Sequence, residues 1–195
     1  MNKRVFNWCL VISFLVILFI ITIVYFYFKG PKEVVWTKKD GGNISLTYTD
    51  EFNGLTIKNC VPLKDNVGMT LNRADMFFDF SITTEVIEAD KMDYEISIKK
   101  DSGNSTTVDE NIKVYLEEEV NDKYSSVFGP STYTESTEKT KLGTPKGNMV
   151  LYKVTKKANS TDKYRLRVWL SDTAVFDKKA VQNISVKVFV NGKAS

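Results

Sequence analysis

Residues 164–170 read YRLRVWL. In an extended chain Tyr164, Leu166, Val168 and Leu170 fall on one side, and Arg165, Arg167 and Trp169 on the other. A helix would send successive members of that apolar set to nearly opposite sides and leave it no common face to bury. One apolar side and one wet side describe a strand of an antiparallel sheet.

Working outward from this stretch, the same period recurs along most of the chain. Met76, Phe78, Phe80 and Ile82 alternate with Phe77, Asp79, Ser81 and Thr83. Tyr94, Ile96 and Ile98 do so in a second run, and Ile112, Val114 and Leu116 in a third. Near the C-terminus Ile184, Val186, Val188 and Val190 alternate with Ser185, Lys187 and Phe189. Shorter candidates lie at 44–49, 55–59 and 149–155, which brings the expected strands to eight. Apolar positions at helical spacing are missing, apart from a short turn suggested around 118–128. The sequence therefore predicts an all-β domain over residues 44–195, an antiparallel β-sandwich of jelly-roll or immunoglobulin-like type. Its longest interruption, 117–148, is rich in Ser, Thr, Glu, Lys, Gly and Pro and reads as a long surface loop.

The N-terminal part has a different character. Residues 5–28, VFNWCLVISFLVILFIITIVYFYF, contain no charge. As a helix they would span about 36 Å, enough to cross a bilayer core of about 30 Å. No small residues suited to signal cleavage follow, so the segment predicts an uncleaved signal-anchor, with Trp8 at one interface and Tyr25 and Tyr27 at the other. Residues 1–4 form a short flank carrying Lys3 and Arg4, and residues 29–43 read as a juxtamembrane linker. The short basic flank favours a single-pass topology with the C-terminal domain outside the cytoplasm.

Charge supports this division. The net charge is +3, with 27 basic and 24 acidic residues. Residues 1–44 hold 6 of the basic residues and 2 of the acidic ones, which leaves 21 and 22 in the domain. The positive excess flanks the membrane segment, where anionic headgroups attract it. A balanced domain lacks the basic face that a nucleic acid needs, so the expected partners are the lipid bilayer and a protein or other component of the cell envelope.

The chain has no histidine, which excludes Ser-His-Asp and Cys-His nucleophiles, HExxH zinc sites and other imidazole ligation. Neither of the glycine-rich phosphate-loop patterns occurs. No cofactor, metal site or catalytic group is therefore expected. Glu117, Glu118, Glu119 and Asp122 could gather around a divalent cation, although a solvated strand end is the commoner outcome for such a run. The Asp101-Ser-Gly-Asn turn lacks the glycine and glutamate positions of an EF-hand loop. Cys9 falls inside the expected membrane span and Cys60 in the domain, so they cannot pair within one chain, and Cys60 reads as a small buried apolar residue or, alternatively, as the site of an intermolecular disulfide or a reactive thiol. The sequons at Asn43, Asn104, Asn159 and Asn183 are about as many as a chain so rich in Asn, Ser and Thr contains by chance.

One surface candidate emerges from the strand pattern. Arg165, Arg167 and Trp169 share the polar face of one strand, and Lys187 and Phe189 that of the last. If those strands are neighbours, they form an aromatic-cationic interaction patch of the composition found at binding hot spots. The alternative is that Trp169 packs beneath the long loop while the arginines are solvated.

The ordered series LTIKN (55–59), FDFSIT (78–83), YEISI (94–98), IKVYL (112–116), YRLRVWL and VKVFV (186–190) resembles exported β-sandwich surface proteins of low-GC Gram-positive bacteria, the TasA and camelysin group. That resemblance implies a jelly-roll-like surface domain with an extracellular-matrix or envelope role. The chain departs from the group in ending its apolar segment without a cleavage site. Together these readings predict a membrane-anchored cell-surface binding or structural module rather than an enzyme. The alternative is a membrane-anchored subunit of an envelope or secretion assembly.

Overall fold

The computed structural model describes residues 12, 14–22, 32–39, 42–48, 53–177 and 179–195, with backbone only for 32–39 and 74. Residues 12 and 14–22 are helical and their apolar side chains are exposed. Among the described residues no helix is long and apolar enough to cross a membrane. Most of the expected 5–28 anchor, including Trp8, Tyr25 and Tyr27, lies outside the described residues.

Eleven strands are present among the described residues: β1 (Lys32–Lys39), β2 (Gly42–Tyr48), β3 (Gly54–Ile57), β4 (Pro62–Leu63), β5 (Phe77–Val86), β6 (Met92–Lys100), β7 (Ile112–Val120), β8 (Lys123–Thr132), β9 (Met149–Lys156), β10 (Ser160–Ser171) and β11 (Ile184–Ala194). Sheet A has the order β1-β2-β5-β10-β7-β8, and sheet B the order β3-β11-β6-β9. Both are antiparallel along these paths, while the two-residue β4 pairs in parallel with the end of β10. The sheets share one hydrophobic core, so the architecture is β-sandwich-like.

The decisive stretch lies at the centre of sheet A. β10 pairs with β5 on one side, Leu166 opposite Phe78, and with β7 on the other, Leu166 opposite Leu116. Tyr164, Leu166, Val168 and Leu170 are all fully buried, as are Ile184, Val186, Val188 and Val190 of β11. Each such side chain contributes about 1.5–3 kcal/mol of hydrophobic stabilisation. An aromatic row follows the inner face of sheet A, with ring centroids 5.9 Å apart for Tyr48–Phe78, 5.6 Å for Phe78–Phe80 and 5.5 Å for Phe80–Tyr164. Tyr152 of sheet B meets Tyr164 edge-on at 6.5 Å, which carries the row across the core.

A polar bridge joins the sheets at this end. The hydroxyls of Tyr94 (β6) and Tyr164 (β10) are 2.8 Å apart. Asp162 accepts from Tyr94 at 3.3 Å and from Lys156 at 2.8 Å, and Glu118 accepts from Tyr164 at 3.4 Å. Burial pushes both phenols well above the ordinary tyrosine pKa, which keeps them protonated and able to donate.

All eight expected strands form, and the structure corrects the sequence reading at two other places. Residues 32–39 of the supposed linker are β1, which pairs with β2 from Lys32↔Tyr48 to Lys39↔Gly42. The two residues between them, Asp40 and Gly41, are the Asp-Gly pair favoured in two-residue hairpins. The expected 117–148 loop is likewise shorter. Its first part is the end of β7 and all of β8, joined at Asn121 and Asp122 with φ of 52° and 59°. Two consecutive positive φ values give the hairpin loop whose twist matches its strands, and Asn and Asp tolerate them best after glycine. No helical turn forms at 118–128. β8 leaves little trace in the sequence because it is an edge strand with little apolar alternation, bulged where it passes Leu116.

Candidate functional site

The polar positions of β10 point to the outer face of sheet A. There Arg165 donates to both carboxylate oxygens of Asp79 on β5, at 2.7 Å each. Its guanidinium also lies 4.0 Å from the centre of the Phe77 ring and 4.2 Å from that of Tyr124 on β8. Three strands thus hold one cation between two rings and a bidentate anion. The hydrogen bonds to Asp79 hold the guanidinium above its ordinary pKa, and burial raises the Tyr124 phenol.

Arg167, two residues on, is buried, with 4% of its surface exposed. It forms an ion pair with Glu117 of β7 and donates to the Leu71 carbonyl at 3.0 Å. Burial lowers its pKa from the ordinary arginine value. Trp169, 1% exposed, is covered by the helical turn Asp65–Gly68. A β-carbon on Gly68 would lie 2.3 Å from the indole ring, so only glycine lets the turn close on it.

The expected patch therefore separates into three environments. Arg165 and Arg167 stand together, Arg165 largely enclosed and Arg167 more fully so, and neither is simply solvated. Trp169 is interior, beneath the 65–68 turn rather than the long loop. Lys187 and Phe189 belong to β11 in sheet B, whose neighbours are β3 and β6, so they do not adjoin the arginines. Lys187 lies 3.4 Å from Asp101, and Phe189 pairs across with Ser97. The acidic run disperses as well: Glu117 meets Arg167, Glu118 turns inward to Tyr164, and Glu119 reaches Lys163 at 3.2 Å. Alternation along one strand sends neighbouring carboxylates to opposite faces. Asp101 spends its oxygens on its own turn, accepting from Gly103 N–H at 3.2 Å and Asn104 Nδ2 at 3.0 Å.

Beside the Arg165 cluster, Asp79, Ser81, Glu119, Tyr124, Thr161 and Lys163 line a hollow of about 530 Å³. At the end of the sandwich a smaller cavity of about 290 Å³ brings Cys60 near Val61, Met76 and Trp169. Cys60 donates to the Ile57 carbonyl at 3.4 Å, and burial pushes its thiol up to about 11. That protonated, half-buried state is that of a packing residue rather than a nucleophile.

What covers sheet B is barely legible in the sequence. Residues 133–148 fold back on its outer face as a strap. Tyr133 is anchored through its N–H to the Ile112 carbonyl at 2.8 Å, and its hydroxyl accepts from the Lys100 N–H at 3.0 Å. Ser136 and Asn148 close the strap at 3.0 Å, and Thr140 and Thr144 do the same at its tip, also at 3.0 Å. Asn191 of β11 donates to Thr144 at 3.2 Å, and Asn148 to Ser97 at 3.3 Å. As a result Glu95 and Ser97, on the outward side of β6, are fully buried. The only trace of this in the sequence is a glutamate inside a strand otherwise flanked by apolar residues.

The fold and these faces define a two-sheet β protein whose outer faces both shelter polar groups, that of sheet B beneath a strap. No family model matches the chain, and no curated protein matches it. Among solved structures, the secreted serine protease VesC from Vibrio cholerae is similar at 11% identity, over 88% of this chain and 26% of that one, with a TM-score of 0.20. The chain thus spans about a quarter of that structure, and a likeness at this level carries no inference about fold or activity.

Proposed function

We propose that this protein is a single-pass, membrane-anchored, extracytoplasmic binding module whose β domain contacts a protein or other component of the cell envelope. The observation that carries the reading is the hollow beside Arg165. It is lined by both signs of charge and by several aromatic rings, and the Arg165 guanidinium beside it is fixed by Asp79 rather than free to swing. A contact surface held rigid before binding loses less side-chain entropy when a partner docks. The uncharged segment 5–28 supports a tether, and the basic excess of residues 1–44 supports its seat at an anionic bilayer. We further assign the sandwich to the jelly-roll type. Apart from the two-residue β4, strands that follow one another in sequence alternate between the sheets over two stretches, β2 in A, β3 in B, β5 in A and β6 in B, and again β9 in B, β10 in A and β11 in B. That crossing pattern, together with the resemblance to exported envelope sandwiches, supports the surface role.

Two measurements test this. Protease added to intact cells should digest the domain while leaving a membrane-embedded N-terminal fragment, and protection until lysis would overturn the topology. A photo-crosslinker at Thr161 should give a discrete envelope adduct that Tyr124→Ala and Arg165→Ala abolish while the domain stays folded. An unchanged adduct pattern in both variants would remove this face from the function. Co-purification of a fixed set of subunits in detergent would instead indicate a subunit of an envelope assembly.

A further inference from the structure

The strap encloses a carboxylate that its surroundings satisfy only in part. Glu95 is fully buried. One oxygen, Oε1, accepts from the Thr140 hydroxyl. The other, Oε2, has no hydrogen-bond partner, and its nearest cation is Lys153 Nζ at 3.7 Å, beyond hydrogen-bond reach. Lys153 itself is exposed over 67% of its side chain, so it is a loose counter-ion that can swing away. Removing a carboxylate from water costs several kcal/mol unless charge and hydrogen bonds both compensate. Here the charge is weakly met and one oxygen accepts nothing.

Glu95 lies on the wall of a hollow. Glu95, Ser136, Thr140 and Lys153 line a hollow of about 660 Å³ along the flank of the strap, with Glu138 and Lys139 also on its wall. The Ser136 hydroxyl is a second buried polar atom without a partner there. The volume suits a ligand the size of a monosaccharide or dipeptide. Among the described residues no group of three or more acidic or thiol side chains is placed to hold a metal ion. A single buried carboxylate flanked by hydroxyls instead fits a compact, multiply donating cation.

We propose that this cavity is a binding site for a primary ammonium group, carried by an amino sugar or by a lysyl peptide. The ammonium takes the place of Lys153 at Glu95 Oε2, and the Ser136 hydroxyl accepts a second of its three hydrogens. Neighbouring hydroxyl or carboxylate groups of the ligand meet Thr140 and the rim lysines. The site is independent of the Arg165 face and stands or falls apart from it.

The test is calorimetric titration of the full chain in detergent with glucosamine, with a lysyl-alanine dipeptide, and with N-acetylglucosamine as the uncharged control. Glucosamine or the dipeptide should bind and the control should not, and whichever binds identifies the source of the ammonium. Glu95→Gln should weaken binding at least tenfold. Lys153→Ala removes the competing cation from an exposed position and should tighten binding several-fold without unfolding the domain, which keeps the test decisive if Glu95→Gln does not fold. Failure of both ammonium ligands to bind, equal binding by the control, or unchanged affinity in Lys153→Ala would each overturn the assignment.

Discussion

On the outer face of sheet A, Arg165 and Arg167 are enclosed by other side chains. On the outer face of sheet B, Glu95 and Ser97 are enclosed by a strap of sixteen residues, 133–148. Both faces carry polar groups in the positions that alternation assigns to solvent, and both withdraw them from it. In sheet A the cover is a few specific side-chain contacts around each arginine, and losing one member of an ion pair strands the other. In sheet B the cover is a segment whose hydrogen bonds are shared among several groups, so one loss is partly absorbed. The first arrangement concentrates stability in a few residues. The second spreads it thinly, and low-stability segments are the ones that open locally to admit ligands.

The largest effects should come from breaking the concentrated face. Arg167→Met leaves the Glu117 carboxylate buried without its cation, and the loss should be about 3–5 kcal/mol. Urea denaturation of the full chain in detergent would show this as a lower midpoint at unchanged slope. Pairing it with Glu117→Leu should recover most of the loss, because two well-packed apolar groups can replace a buried ion pair. A double variant no more stable than the single one would mean that Arg167 acts mainly through Leu71.

Trp169→Ala should cost about 3–5 kcal/mol, as other large-to-small aromatic replacements in cores do. The partner change, Gly68→Ala, should cost about 1–3 kcal/mol by forcing a methyl against the indole. Thermal unfolding midpoints would rank the two. Equal wild-type stability of Trp169→Ala would return that residue to the surface patch. The structure makes the opposite claim, and it does so for a reason the sequence does not hold. The outward parity of Trp169 is legible from YRLRVWL, but the 65–68 turn that covers it comes from a segment about a hundred residues earlier in the chain.

This marks where sequence reading ends for the molecule as a whole. The eight principal strands are legible because each buries a clean two-residue alternation against a common core. β1 and β8, the edge strands of sheet A, are less so, since neither carries a clean apolar alternation. β1 sits behind an Asp-Gly pair and β8 behind an Asn-Asp pair, and both turn signals are in the sequence. The strand order is not written there. β10 and β11 both end in the same core, yet one lies in each sheet, which is why Lys187 and Phe189 part from the arginines. The Glu95 cavity depends on where a strap without alternation comes to rest, and its contacts are made by threonine, serine and asparagine side chains that could serve many loops.

The distributed face should respond more mildly. Asn148→Ala removes the donor to Ser97, a hydroxyl with no exposure, at a cost of about 1–3 kcal/mol. Hydrogen exchange followed along 133–148 would distinguish the two kinds of cover. In this variant the strap amides should exchange faster while those of β10 and β7 keep their protection. Acceleration spread evenly over both sheets would mean that the strap is part of the same cooperative unit as the core.

The smallest effect concerns Cys60, which lies on the crossing from β3 in sheet B to β4 in sheet A and belongs to neither face. Its folded pKa is raised by burial to about 11, whereas an unfolded thiol titrates near 8.5. A raised folded value means that the native state resists ionisation more than the unfolded one does. The resulting stability is fully present below the unfolded pKa and is lost as pH climbs from about 8.5 toward about 11. Thermal midpoints should therefore fall across that window in the wild-type chain and fall less in Cys60→Ala, with both curves parallel below pH 8. The comparison isolates the thiol from the buried tyrosines, such as Tyr133 with its hydroxyl at about 12, which titrate higher and are common to both chains. The same burial makes Cys60 slow to alkylate at pH 8.5, at least tenfold slower in the native chain than in denaturant when read at its own peptide by mass spectrometry. Rapid native alkylation, or identical alkaline limbs in the two chains, would place the thiol on an open surface. It would then be a reactive group at the mouth of the Trp169 cavity rather than packing between the sheets.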